Sequence, residues 1–262
     1  ETMLAGAGFH NVKKKTVSKK LLAFCRDFSG LAPALGKPVS APAICAALRR
    51  GKKTIPVFAG YGDQQCAILG AGNTLQTLSL NIGTGSQVSL ITKNPRNGET
   101  RPYFAGRYLS TITHIPAGRV LNLYSQNLRH KIRTTRFWQL LGKITAQEAL
   151  KTRRKINLAV FEDAYGFRGD KKLSPLGKDS PRVFLAALLR SFAEQYRDAA
   201  NELDPKHKLS KCVLSGGIPA KIPALRELIE KLTGYTTAQS ASREETLCGL
   251  AKLVTTSHAN HK

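Results

Sequence analysis

Three places in this chain combine residue types and spacing that can do chemistry. The first is Gly62-Asp63-Gln64-Gln65, which follows the apolar run Val57-Phe58-Ala59. A carboxylate that leaves a strand and enters a glycine-flanked turn is placed to take a proton from a hydroxyl. The second is Gly83-Thr84-Gly85, set between the β-rich runs Leu80-Asn81-Ile82 and Ser86-Gln87-Val88. Its glycines let a phosphate approach backbone N–H groups, and Thr84 adds a hydroxyl donor. The third is Gly216-Gly217, after the strand-like Lys211–Ser215 and before a helix, where a phosphate could sit at a helix start. Each has an ordinary reading too: Asp63 as a helix cap, the second as a hairpin turn, the third as a tight strand-to-helix turn. Together, an acid near phosphate-sized glycine turns suggests a base that activates a hydroxyl beside a nucleotide phosphate.

Several elements must hold these residues in place. The pattern predicts a buried strand before Asp63, a short helix after it, and a strand–turn–strand unit through Leu90. Residues 94–118 read as loop with a short strand at Tyr108–Ile115, and Gly118 opens an amphipathic helix. Residues 126–180 are polar, basic and weakly patterned, and are expected to form a surface insertion. Pro181 starts a long helix whose Leu185, Leu188, Leu189, Phe192 and Tyr196 recur at helical spacing. A strand at Lys211–Ser215, a helix over 222–233, a strand near 235–239 and a helix over 243–254 close the pattern. Strands alternating with helices indicate an α/β domain, a mixed sheet covered by helices. Residues 1–55 read as a lead-in, with helices over 19–28 and 41–50, and residues 56–262 as the main domain with its basic insertion near 126–180. The opening nine residues look like a helix entered mid-element, so the chain reads as the back part of something longer.

Composition narrows the classes. With 42% hydrophobic residues over 262 positions the chain can bury a full core. No apolar run is long enough to cross a bilayer, and a cytoplasmic protein with no membrane partner is expected. The five cysteines have no CxxC or Cys/His ligand spacing, so they read as reduced, mostly buried small hydrophobes, with no metal site among them. Lys and Arg outnumber Asp and Glu 41 to 17, a formal charge of +24. That excess supports weak, salt-sensitive attraction to polyanions, although dispersed basic clusters are more often solvated faces. No zinc-finger, RRM-type or helix-turn-helix signature is present.

The three candidates occur in an order that resembles the FGGY family of carbohydrate kinases. Gly62-Asp63-Gln64-Gln65 resembles the family's Gly-Asp-Gln/Asn segment, and Asn81-Ile82-Gly83-Thr84-Gly85-Ser86 its second phosphate motif. The segment from Leu214 through Ser215-Gly216-Gly217 to Leu225 resembles its adenosine motif, and the segment from Glu244 through Cys248-Gly249 to Ala251 its closing helix. Arg101-Pro102-Tyr103-Phe104 and Thr113-His114-Ile115-Pro116-Ala117-Gly118-Arg119 are similar to the sedoheptulokinase branch. The resemblance implies an actin-like (ribonuclease H-like) ATPase domain, with the N-terminal half of the family fold and its first phosphate hairpin largely missing. It implies ATP and Mg²⁺ as cofactors and a sugar, sedoheptulose or a related ketose, as acceptor. Asp63 would be the catalytic base, Asp63 and Gln64 would meet the sugar, and Gly83, Thr84, Gly85, Gly216 and Gly217 would bind the nucleotide. Gly85 stands where the family usually has serine, and Gly216-Gly217 is one glycine short of the common triple. A missing N-terminal half is therefore an expected partner, and the alternative is a non-catalytic nucleotide-binding remnant or interaction module.

Overall fold

The computed structural model describes residues 2–6, 10–29, 43–96 and 98–259. They group into two compact units: unit 1 is Glu1–Leu75, Ile91–Ser110 and Ser242–Lys262, and unit 2 is Gln76–Leu90 and Thr111–Ala241. The chain begins with α1 (Thr2–Gly6), a small ladder of β1 (His10–Asn11) and β2 (Thr16–Val17), and α2 (Lys19–Ser29). An antiparallel ribbon of β3 (Ile44–Arg50) and β4 (Lys53–Phe58) precedes α3 (Asp63–Gly70). The hairpin β5 (Thr77–Ile82) and β6 (Ser86–Thr92) follows, then β7 (Thr100–Pro102) and β8 (Tyr108–Ile115). Helices α4 (Gly118–Asn127), α5 (Thr134–Lys143), α6 (Ala146–Lys151) and α7 (Pro181–Leu203) come next. The chain closes with β9 (Lys211–Ser215), α8 (Gly217–Lys221), α9 (Pro223–Thr233), β10 (Thr236–Gln239) and α10 (Glu245–Ala259).

Unit 2 is built on a mixed sheet. β9 lies parallel to both β10 and β5, and β5 pairs antiparallel with β6 in register Leu80↔Val88. Leu78, Leu80, Ile82, Cys212 and Leu214 are buried in these central strands, as the apolar runs require. α7 packs one face on the core through Phe184, Leu188, Phe192 and Tyr196. Its start is fixed by Ser180 Oγ, which accepts the Val183 N–H at 3.4 Å, with Pro181 in the first turn. α9 likewise starts at Pro223, and Gly234 ends it in the left-handed conformation, φ 77°.

Unit 1 keeps a much smaller core: Cys66, Ile68, Ile91, Tyr103, Phe104, Leu109 and Leu253. Its tightest junction is between α3 and α10. A Cβ on Gly70 would lie 1.8 Å from Glu245 O, and one on Gly249 would lie 1.9 Å from Cys66 O. The two helices therefore meet backbone to backbone, and only glycine fits at either position.

Several expectations need correcting. Residues 44–50 form a strand rather than a helix: a turn at Gly51, φ 59°, folds them onto β4 and pairs Leu48 with Ile55. Cross-strand pairing across that turn outweighs the helix propensity of the Ala-Leu-Arg run; residues 41–42 lie outside the described residues. β4 is not the buried strand expected before Asp63, because it sits in a separate two-stranded ribbon with Ile55 and Val57 exposed. The stretch 126–180 is not a surface insertion either. It supplies Phe137, Leu141, Ile144, Ile156, Leu158 and Val160 to the main core. Its apolar residues are spread over two short helices and an extended segment, which hides any single period. The described residues before 56 group with 56–75 in unit 1.

Candidate functional site

In unit 1, Asp63 is the first residue of α3 and is exposed. Its Oδ1 accepts the Gln64 N–H at 2.7 Å, which satisfies one orphan donor of the helix start and holds the carboxylate in place. The bend that presents it is secured by the Gly62 N–H, which donates to Thr2 Oγ1 at 3.0 Å. A side chain at Gly62 would crowd Gln65 Oε1, 2.3 Å from the Cβ position. Gln64 is buried, and its Oε1 accepts from Arg101 Nη1 at 2.6 Å. Gln65 Nε2 donates to Pro102 O at 3.2 Å. One turn on, Cys66 is fully buried; burial first, and then the Asp63 carboxylate, pushes its thiol up to about 11. That cysteine is inert packing, whereas Asp63 itself is open to a reactant.

In unit 2, Gly83-Thr84-Gly85 joins β5 to β6 as a three-residue loop, closed by the Gly83 N–H donating to Gly85 O at 3.0 Å. The loop is docked on α4: the Gly118 N–H donates to Gly83 O and the Arg119 N–H to Thr84 O, both at 2.9 Å. These bonds use the first donors of α4, so that helix start is closed by protein carbonyls. Gly118 is required for the approach, since a Cβ there would lie 2.8 Å from Gly83 O. Gly216 is required more strongly. Its φ is 86°, and a Cβ would lie 2.5 Å from Ile82 O and 3.1 Å from Asn81 Oδ1. Gly216 thus lets the end of β9 press against the end of β5, beside the Gly83 turn.

That approach leaves a cavity of about 800 Å³ in unit 2. Gly83, Thr84, Gly118 and Gly217 form one part of its wall, and Trp138, Lys221, Asn122 and Gln139 another. The volume suits a nucleotide-sized ligand, and the wall has the expected mix of an aromatic plate and a few polar groups. Among the described lining residues Lys221 supplies the only charge, and it is positive. The fold therefore brings Gly83, Thr84 and Gly217 onto one cavity. Gly85 and Gly216 support the wall without lining it, and Asp63 and Gln64 belong to unit 1.

Sequence reasoning missed Trp138, Lys221, Asn122 and Gln139. Two signals could have found them: Trp138 is the only tryptophan, and no Asp or Glu occurs between Glu99 and Glu148. The described residues contain no cluster of three or more His, Cys, Asp or Glu side chains able to hold a metal ion. None of the five cysteines is in a disulfide.

No family model and no curated protein matches the chain. Solved structures do. A xylulose kinase from Rhodospirillum rubrum superposes with a TM-score of 0.76 at 16% identity, over 98% of this chain and 55% of that one. A gluconate kinase from Lactobacillus acidophilus gives 0.76 at 17% identity, over 96% of this chain and 54% of that one. A Plasmodium falciparum glycerol kinase solved with ADP gives 0.65 at 15% identity, covering 94% and 51%. The chain has the fold of these kinases, with a mixed sheet flanked by helices. It spans about half the length of each.

Proposed function

We propose that this chain carries the nucleotide-binding part and the catalytic base of an FGGY-type kinase, which transfers the γ-phosphate of ATP to a sugar hydroxyl. One observation carries the reading: Gly83-Thr84 and Gly217, far apart in sequence, line a single cavity whose only charged group among the described residues is a lysine. The backbone of the Gly83 turn and of Gly217 would face the phosphates, and Lys221 would neutralise them. Trp138 would stack on the base. Gly85 and Gly216 would act by shaping these walls.

Asp63 would accept the proton of the sugar's primary hydroxyl as that oxygen attacks phosphorus. Its bond to the Gln64 N–H leaves the second carboxylate oxygen for this task. Gln64, tied to Arg101, would support the sugar side. Mg²⁺ on a nucleotide takes most of its ligands from phosphate oxygens and water, so a wall with no carboxylate among its described residues is compatible with it, and it would supply charge neutralisation during transfer. Sedoheptulose is the proposed acceptor on the likeness of Arg101-Pro102-Tyr103-Phe104 and Thr113-His114-Ile115-Pro116 to that branch.

The test is phosphoryl transfer from ATP to a panel of sedoheptulose, xylulose, gluconate and glycerol, with Asp63→Asn as the control. Transfer depends on positioning by two half-sites, so this chain alone should show little or none. Any transfer it does show should favour sedoheptulose and vanish in Asp63→Asn. Robust phosphorylation by this chain alone would contradict the half-site reading, and transfer unaffected by Asp63→Asn would remove the proposed base. A second reading, nucleotide binding without transfer, is favoured by Gly85 in place of the usual serine and by the shortened Gly216-Gly217 pair. It predicts that nucleotide binding survives while no acceptor is ever phosphorylated.

A further inference from the structure

We propose that α2 and the basic turn before it form a peripheral binding surface for anionic lipid bilayers. The helix is Lys19-Lys20-Leu21-Leu22-Ala23-Phe24-Cys25-Arg26-Asp27-Phe28-Ser29. Leu21, Phe24 and Phe28 recur at i, i+3 and i+7 and so share one face. That face points outward: Leu21 is 40% exposed, Phe24 62% and Phe28 84%. The two phenylalanine rings stack on each other, centroids 5.9 Å apart, which makes a continuous apolar ridge. An apolar ridge of this kind on a surface helix marks an interaction site.

Charge selects the occupant. Lys13 and Lys14 lie exposed in the turn between β1 and β2, and Lys19 and Lys20 lie exposed in the first turn of α2. Cations at a helix N-terminus oppose the macrodipole, whereas in the last turn Arg26 favours it and offsets Asp27 beside it. The lysines at its start therefore do nothing for the helix itself. Ser18 supports the helix start instead, its Oγ accepting the Leu21 N–H at 3.4 Å. Five lysines within eight positions (Lys13, Lys14, Lys15, Lys19 and Lys20), next to a Leu-Phe-Phe ridge, match the pattern of helices that lie in the plane of a bilayer. There the rings enter the acyl boundary and the ammonium groups meet anionic headgroups. The formal charge of +24 adds attraction of the same sign. No helix among the described residues is long and apolar enough to cross a membrane, so the contact is peripheral. The sequence pattern led to no membrane partner being expected; the outward exposure of the ridge is what alters that reading.

The experiment is co-sedimentation of the full chain with vesicles of phosphatidylcholine alone, or of phosphatidylcholine with phosphatidylserine at 70:30. Binding to the mixed vesicles, and little to phosphatidylcholine alone, is expected. The double variant Phe24→Ser/Phe28→Ser should bind about tenfold more weakly, and so should the fourfold variant Lys13→Gln/Lys14→Gln/Lys19→Gln/Lys20→Gln. Circular dichroism should show both variants folded, because every altered side chain is exposed. Three results would overturn the proposal. The first is no binding to mixed vesicles. The second is a double serine variant that binds as well as the parent, which would leave bulk charge as the cause. The third is self-association that the serine variant abolishes without any vesicle binding, which would assign the ridge to a second copy of the chain.

Discussion

Units 1 and 2 solve the same problem in different ways. Unit 2 encloses a large core between its sheet and α7, with Phe184, Phe192 and Tyr196 fully buried. Unit 1 holds a small cluster around Cys66 and Leu109 while leaving Phe24, Phe28, Ile44, Leu48, Ile55 and Val57 exposed. A two-stranded ribbon such as β3–β4 is marginal by itself. What unit 1 lacks in apolar burial it partly makes up in close backbone contact, where α3 meets α10 at Gly70 and Gly249. The lesson concerns function as much as stability. The proposed nucleotide cavity sits in the unit with the deep core, and the proposed base sits on the unit held by two glycines.

This contrast can be broken from either side. Phe192→Ala, at a fully buried position of α7, should cost about 3–5 kcal/mol in denaturant unfolding of unit 2. Gly249→Ala should cost about 3 kcal/mol in unit 1, because the added methyl would meet Cys66 O and force α10 off α3. A cost below about 1 kcal/mol would show that the helices can separate cheaply.

Thiol labelling separates the two units in one sample. Cys66 is fully buried in unit 1 and Cys212 nearly so in unit 2, and burial raises both thiols, with Asp63 adding to the first and Glu230 to the second. Both should stay unlabelled at pH 8 while exposed Cys45 reacts. In rising denaturant Cys66 should label before Cys212, and simultaneous labelling would mean that the units unfold as one.

The smallest effect concerns pH. Hydrogen bonds from Arg182 first, then from Thr145, lower Glu148 from its ordinary 4.5 to about 2. A depressed carboxylate stabilises fully above its unfolded value, and the contribution fades as pH falls from about 4.5 towards 2. The pair is partly exposed, at 48% and 34%, so Glu148→Gln should cost under about 1 kcal/mol at pH 7 and flatten the acid limb in that window.

Much of unit 2 was legible in the sequence because its elements obey single periods. The stripe of α7, the hairpin at Gly83-Thr84-Gly85 and the strand before Gly216 all stand where pattern and turn chemistry put them. The same holds for α2 and α3. Residues 44–50 were misread because helix propensity is local, whereas the pairing of Leu48 with Ile55 is set by a turn and a partner strand. The core role of 126–180 was hidden because its buried residues lie on short elements with no shared spacing. Trp138 and Lys221 escaped notice because a cavity wall is made by packing, and no linear motif encodes it.

The most direct test of the account is the intrinsic fluorescence of Trp138, the only tryptophan in the chain, during titration with ATP and with ADP. Binding in the unit 2 cavity predicts a saturable change in emission that Lys221→Ala weakens about tenfold or more and Asp63→Asn leaves intact. No saturable change, or one indifferent to Lys221→Ala, would contradict the assignment of that cavity to a nucleotide.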